Sequence, residues 1–229
     1  MRNFEEFEEK LGYSFKTPEL LQMALTHRSY INESRTRDGK HNERLEFLGD
    51  AVLELITTEF LYAKYPNKPE GDLTSYRSGL VNTSTLATVS LELGVNDFLL
   101  LSKGESKDTG RARQYILANA FEAIVGALYI DGGYDTAQKF VAKYLLPMTE
   151  DIVEKHLWRD AKSRFQELAQ EREGITPSYQ KVSESGPDHD REFTMAVFLG
   201  NEEIAQGMGK SKQEAEQIAA GKALTIKGW

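Results

Sequence analysis

Three carboxylates, Glu43, Glu46 and Asp50, are threaded through the apolar stretch HNERLEFLGDAVLEL at residues 41–55. The apolar residues recur three and four apart, which predicts a helix turning about 100° and rising about 1.5 Å per residue. Leu45, Leu48, Val52 and Ile56 then form one stripe, while the three acids fall within roughly 60° of each other on a different face. Carboxylates one turn apart repel each other, and one withdrawn from water without a partner costs several kcal/mol, so a cation is the natural compensation.

A second set lies in ILANAFEAIVGALYI at 116–130, where Asn119 and Glu122 are three apart and share a helical face. Ala118, Ala120, Ala123, Gly126 and Ala127 surround them, small residues that let another helix come close. If the two helices pack together, Glu46, Asp50, Asn119 and Glu122 bring four oxygen-bearing side chains to one place. Oxygen donors without His or Cys suit a hard cation, Mg²⁺ or Mn²⁺, better than zinc. A ferritin-like di-iron site also places carboxylates on bundle helices, but it requires Glu-x-x-His pairs, and neither stretch has the His. The same spacing fits acids that merely line the solvated edge of an apolar stripe.

The elements that would position these side chains follow from periodicity. Residues 1–150 read as helices throughout, separated by KTPE, YPNKPEGD, SKGESKDTG and DGGYD, whose Pro, Gly and Asp end helices. Residues 151–157 read as a short charged linker. From 158 to 229 the pattern changes to a helix (DAKSRFQELAQERE), three alternating stretches (PSYQKVSES, REFTMAVFLG, EEIAQGMG) and an alanine-rich helix with Ser211 as its N-cap and Glu214 three residues on. The expected fold is an all-α domain followed by an α+β domain in α-β-β-β-α order.

The 229 residues carry 28 Lys and Arg against 36 Asp and Glu, a net charge of −8, which speaks against a protein that coats nucleic acid through bulk positive charge. Basic residues gathered on one face would still permit a nucleic-acid partner. The absence of cysteine excludes disulfides, thiolate zinc sites and thiol nucleophiles, and suits a reducing interior. Neither a run of about 18 apolar residues nor a signal-like start is present, so the expectation is a cytoplasmic protein without a membrane partner.

HNERLEFLGDAVLEL closely resembles the signature segment of the ribonuclease III family, the double-strand-specific endoribonucleases. LGYSFKTPELLQMALTHRSY at 11–30, EGDLTSYRSGLVNTSTLA at 70–87 and ILANAFEAIVGALYID at 116–131 resemble the other blocks of that catalytic domain, in the same order. Residues 160–226 resemble a double-stranded RNA-binding domain. The resemblance implies a homodimer that hydrolyses phosphodiester bonds in double-stranded RNA, ribosomal RNA precursors among them. The implied products carry 5′-phosphate and 3′-hydroxyl ends with two-nucleotide 3′ overhangs. It implies that Glu46, Asp50 and Glu122 are the metal-ligating and catalytic carboxylates, with Glu43 in support. Where the family usually has Asp, this chain has Asn119, which keeps a carbonyl ligand and loses one negative charge; the alternative it raises is a weakened or non-cleaving RNA-binding protein. Phe47 and Ala51 face away from Leu45 and Leu48, which fits either a subunit interface or burial within one domain.

For the second domain the resemblance implies three contacts with the A-form duplex, which is read by shape through its minor grooves and phosphates. Gln166 and Glu167 come from the first helix, His189 from the loop SGPDHD, and Lys210, Ser211 and Lys212 from the start of the last helix, whose N-terminal N–H groups favour phosphate. Residues 160–229 hold nine Lys and Arg against twelve Asp and Glu, so the implied affinity is modest and salt-dependent.

Overall fold

The computed structural model describes residues 4–34, 39–107, 109–154, 161–186 and 191–229. The chain divides into two compact units, Met1–Trp158 and Arg159–Trp229. Among the described residues the first unit contains helices α1 (Phe4–Leu11), α2 (Pro18–Ala24), α3 (Arg28–Ser34), α4 (Glu43–Lys64), α5 (Glu70–Val81), α6 (Thr83–Glu92), α7 (Val95–Phe98), α8 (Arg111–Gly132), α9 (Tyr134–Tyr144) and α10 (Thr149–Glu154). The second contains α11 (Ala161–Glu173), β1 (Ser178–Ser185), β2 (Glu192–Leu199), β3 (Glu202–Gly209) and α12 (Lys212–Lys227). This is the expected all-α unit followed by an α-β-β-β-α unit. No helix among the described residues is long and apolar enough to cross a membrane.

Helix α8 is the axis of the first unit. Apart from Asn119 and Glu122, its residues from Ile116 to Leu128 are apolar or small and buried, and α2, α4, α6 and α9 pack around it. Its first five residues, Arg111 to Tyr115, are exposed or half-buried. At the other end Gly132 and Gly133 stop it, Gly133 at φ +78°. There the Asp131 carboxylate accepts hydrogen bonds from the Tyr13 hydroxyl (2.8 Å) and the backbone N–H groups of Lys16 (2.8 Å) and Thr17 (3.0 Å), which ties the α1–α2 connection to the end of α8. Helix α4 runs 22 residues before Tyr65 and Pro66 end it, and it buries Leu45, Val52, Leu53, Ile56 and Leu61.

The sequence placed residues 151–154 in a connecting stretch; they are instead part of α10. Ile152 is buried and Val153 packs against the helical core, which a charged linker would leave in water. Residues 155–157 of that stretch lie outside the described residues.

In the second unit β1, β2 and β3 form an antiparallel sheet in that order, with α12 packed on β2 and β3 and α11 packed on α12. Phe165, Val197, Leu199, Ala205, Ala219 and Leu224 are among its core residues. The alanines of α12 let the helix sit close on the sheet. At Gly207 a Cβ would lie 2.3 Å from the Ala215 carbonyl, so only glycine fits there.

Candidate active site

Helices α4 and α8 cross with almost no space between them, and the reason is a pair of glycines. A Cβ on Gly49 would lie 1.7 Å from the Glu122 carbonyl oxygen, and one on Gly126 would lie 2.3 Å from that of Leu45. Backbone therefore meets backbone at this point. Gly49 immediately precedes Asp50 and follows Glu46 by three residues, so the crossing brings both acids to the part of α8 that carries Asn119 and Glu122.

Glu46, Asn119 and Glu122 are half-buried here and Asp50 is exposed. Burial, then the charges of Asp50 and Glu46, pushes the Glu122 carboxyl up to about 8. Burial also raises Glu46, as do the charges of Glu43 and Asp50, while the Asn119 side chain opposes them by favouring the ionised form. The three carboxylates thus lie within each other's electrostatic reach, and Asn119 joins them through its hydrogen bond to Glu46.

The donor set suits a hard divalent cation: three carboxylates and one amide oxygen, without nitrogen or sulfur. Among the described residues, however, no three His, Cys, Asp or Glu side chains are arranged to hold a metal ion by themselves.

Glu43 lies at the edge of this set, acting on Glu46 through its charge. It is exposed at the first turn of α4, with Arg28 Nη1 at 3.4 Å and His41 Nδ1 at 3.8 Å. Arg28 was not a candidate from the sequence, because it reaches Glu43 from another helix fifteen residues away and no periodicity links them. Gly49 was also missed. Its signal was legible, since glycine inside a helix costs about 1 kcal/mol relative to alanine and calls for a packing reason.

On the second unit Gln166 and Glu167 are exposed on α11, and Lys210, Ser211 and Lys212 are exposed at the start of α12. The Ser211 hydroxyl accepts from the Glu214 N–H at 3.2 Å, so it is the N-cap that the sequence indicated. Glu214 reaches back one residue farther than expected, to the N–H of Lys210 at 3.0 Å. Lys210 Nζ lies 3.2 Å from a Glu192 carboxylate oxygen, which moderates the positive charge at this end. His189 lies outside the described residues.

Comparison with known proteins gives the same two parts. The Ribonuclease-III-like family matches residues 17–149 and the double-stranded RNA binding motif matches 161–226. Ribonuclease 3 of Bdellovibrio bacteriovorus is 46% identical over 221 residues, covering 96% of this chain and 94% of that protein. Ribonuclease 3 of Campylobacter fetus is 43% identical over 224 residues, covering 98% of each. The crystallised nuclease domain of Campylobacter jejuni ribonuclease III superposes with a TM-score of 0.56 at 40% identity, over 63% of this chain and 94% of that one. Paired helices bearing the carboxylates, a duplex-binding motif behind them and relatives aligned over nearly their whole length lead to one conclusion: the chain is an endoribonuclease of the ribonuclease III family.

Proposed function

We propose that the protein hydrolyses phosphodiester bonds of double-stranded RNA with Mg²⁺, or Mn²⁺ in its place, held by Glu46, Asp50, Asn119 and Glu122. The products would carry 5′-phosphate and 3′-hydroxyl ends with two-nucleotide 3′ overhangs. The setting we infer is the cytoplasm, with ribosomal RNA precursors among the targets. The observation that carries this reading is the glycine-tight crossing of α4 and α8, which brings the four oxygen donors onto two facing helices, where burial and the charges of Asp50 and Glu46 raise Glu122 to about 8.

When bound, a divalent cation supplies Lewis acidity to the scissile phosphate and to the attacking water. The chain's own residues do the rest. Glu46 and Asp50, one turn apart on α4, hold their charges toward α8. Glu122, its carboxyl raised to about 8 by burial and by Asp50 and Glu46, would release its proton on holding a cation. Asn119 would contribute a neutral oxygen, and its hydrogen bond to Glu46 favours the ionised form of that carboxyl against burial. Glu43, paired with Arg28, supports the first turn of α4. The second unit would hold the duplex through Gln166, Glu167, His189, Lys210, Ser211 and Lys212.

A homodimer is part of the proposal. Phe47, Leu55 and Tyr62 are 83%, 59% and 75% exposed along one side of α4, an apolar row that a single chain leaves in water. Phe47 borders a groove of about 800 Å³ also lined by Met23, Leu45, Leu48 and Ile130, an apolar recess of a kind that receives an aromatic side chain. The Campylobacter jejuni nuclease domain is described as having a region involved in dimer formation.

One observation favours a competing reading, duplex binding without scission: the described carboxylates do not by themselves form a three-ligand metal cage. A labelled RNA duplex incubated with and without Mg²⁺ separates the two. Metal-dependent cutting that Glu122→Gln abolishes, with duplex binding retained, supports the hydrolase; cutting by Glu122→Gln at the wild-type rate would refute the site.

A further inference from the structure

The segment from the end of α2 into α3 touches the start of α4 and, on its other side, the stretch that leads to α8, the two helices that carry the candidate ligands. Toward α4, the Thr26 carbonyl accepts from the N–H of Asn42, the residue before the helix, at 2.9 Å, and Arg28 pairs with Glu43. Toward α8, the Leu100 N–H donates to the Leu25 carbonyl (2.8 Å) and the His27 N–H to the Leu100 carbonyl (3.0 Å), a short parallel bridge.

Side chains then take over from backbone. The Ser102 N–H donates to Ser29 Oγ at 3.1 Å and the Lys103 N–H to Glu33 Oε2 at 2.7 Å. Ser29 Oγ is also 2.8 Å from His27 Nδ1, so its hydroxyl can donate to the imidazole while accepting from Ser102. The Ser102 hydroxyl accepts from the Glu105 N–H at 3.2 Å and opens a 3-10 turn over Glu105–Lys107. The Glu105 carbonyl in turn accepts from Arg113 Nη2, in the first turn of α8, at 2.7 Å. Core packing grips α8 from Ile116 onward but leaves Arg111 to Tyr115 exposed or half-buried, and this chain of contacts is one of those that reach the part of the helix that packing does not. Asn119 lies six residues beyond Arg113, about 9 Å along the axis of a rigid helix.

We propose that Ser29 and Glu33 are positioning residues for hydrolysis: by holding Ser102 and Lys103 they fix the turn that anchors the start of α8, and so set where Asn119 and Glu122 stand against Glu46 and Asp50. The assignment rests on the site described under Proposed function. Its basis in physics is that small displacements of catalytic groups cost rate out of proportion to stability.

The test compares wild type with Ser29→Ala/Glu33→Ala, the single variant Glu33→Ala and the conservative pair Ser29→Thr/Glu33→Gln, which keeps both acceptors. In metal-free protein, amide hydrogen exchange over 102–115 is expected to rise roughly tenfold in the double alanine variant and less in Glu33→Ala. In Mg²⁺, kcat on a duplex is expected to fall roughly tenfold with KM changed less than about twofold, and the conservative pair restores both readouts. Because Glu33 is exposed, its single variant keeps the comparison available if the double variant folds poorly. Unchanged exchange over 102–115, or faster exchange with wild-type kcat, overturns the assignment. If wild type cuts no duplex at all, the hydrolase reading falls and this assignment with it; if wild type cuts and the double variant cuts as fast, this assignment alone falls.

Discussion

Glu122 connects the chemistry of the site to pH. Its folded pKa of about 8 lies above that of an unfolded glutamate, so the metal-free native state binds a proton that the unfolded chain has released. The contribution is fully present below about pH 4.5 and is lost as pH rises through about 8. Chemical unfolding of metal-free protein at pH 5, 7 and 9 is expected to show that loss, with Glu122→Gln flattening it over the same range. Gly49→Ala tests the crossing itself: the new methyl meets the Glu122 carbonyl, and a loss of about 3 kcal/mol in unfolding free energy is expected together with loss of cutting. Asn119→Asp restores a fourth charge and should lower the Mg²⁺ concentration that gives half-maximal cleavage; no change would mean that residue 119 does not reach the cation.

At the scale of elements, the ends of helices decide the connections. Burial alone would raise the Asp131 carboxyl at the end of α8, yet the Lys16 N–H, the Tyr13 hydroxyl and the Thr17 N–H outweigh it and hold the group below the usual carboxylate range. A depressed carboxylate stabilises the fold above its unfolded pKa and loses that effect as pH falls through its folded one, so Asp131→Ala should flatten the acid limb of a stability profile. At the start of α12, Ser211 is a cap, and Ser211→Ala should cost the protein about 1 kcal/mol. Any loss of RNA binding by that variant would mix two causes. Lys210→Ala with Lys212→Ala leaves the Ser211 cap in place and is the cleaner probe, with weaker duplex binding expected in a shift assay at physiological salt.

For the whole molecule the open surface of α4 carries the argument. Phe47 is 83% exposed although it belongs to a stretch rich in core residues, and a second copy of the chain is the occupant we propose. Sedimentation at micromolar concentration should give a dimer for the wild type and a shift toward monomer for Phe47→Ala; a monomeric wild type would remove the shared-interface proposal. Duplex affinity should fall with salt, with a slope set by the few local cations that meet phosphate, since the net charge of −8 supplies no bulk attraction.

Periodicity alone separated the helical unit from the α-β-β-β-α unit, because patterns of 3.6 and 2 residues are written locally, as are the Gly, Pro and Ser signals at element ends. Residue type and spacing also singled out Glu46, Asp50, Asn119 and Glu122. Tertiary structure decided what those acids experience: the rise of Glu122 exists only because two helices cross at Gly49 and Gly126, 77 residues apart in sequence. It likewise took Ile152 out of the linker and gave Glu43 to Arg28, and it joined Ser29 and Glu33 to Ser102 and Lys103. Burial, field and long-range hydrogen bonds depend on distance in space, and no local pattern encodes that.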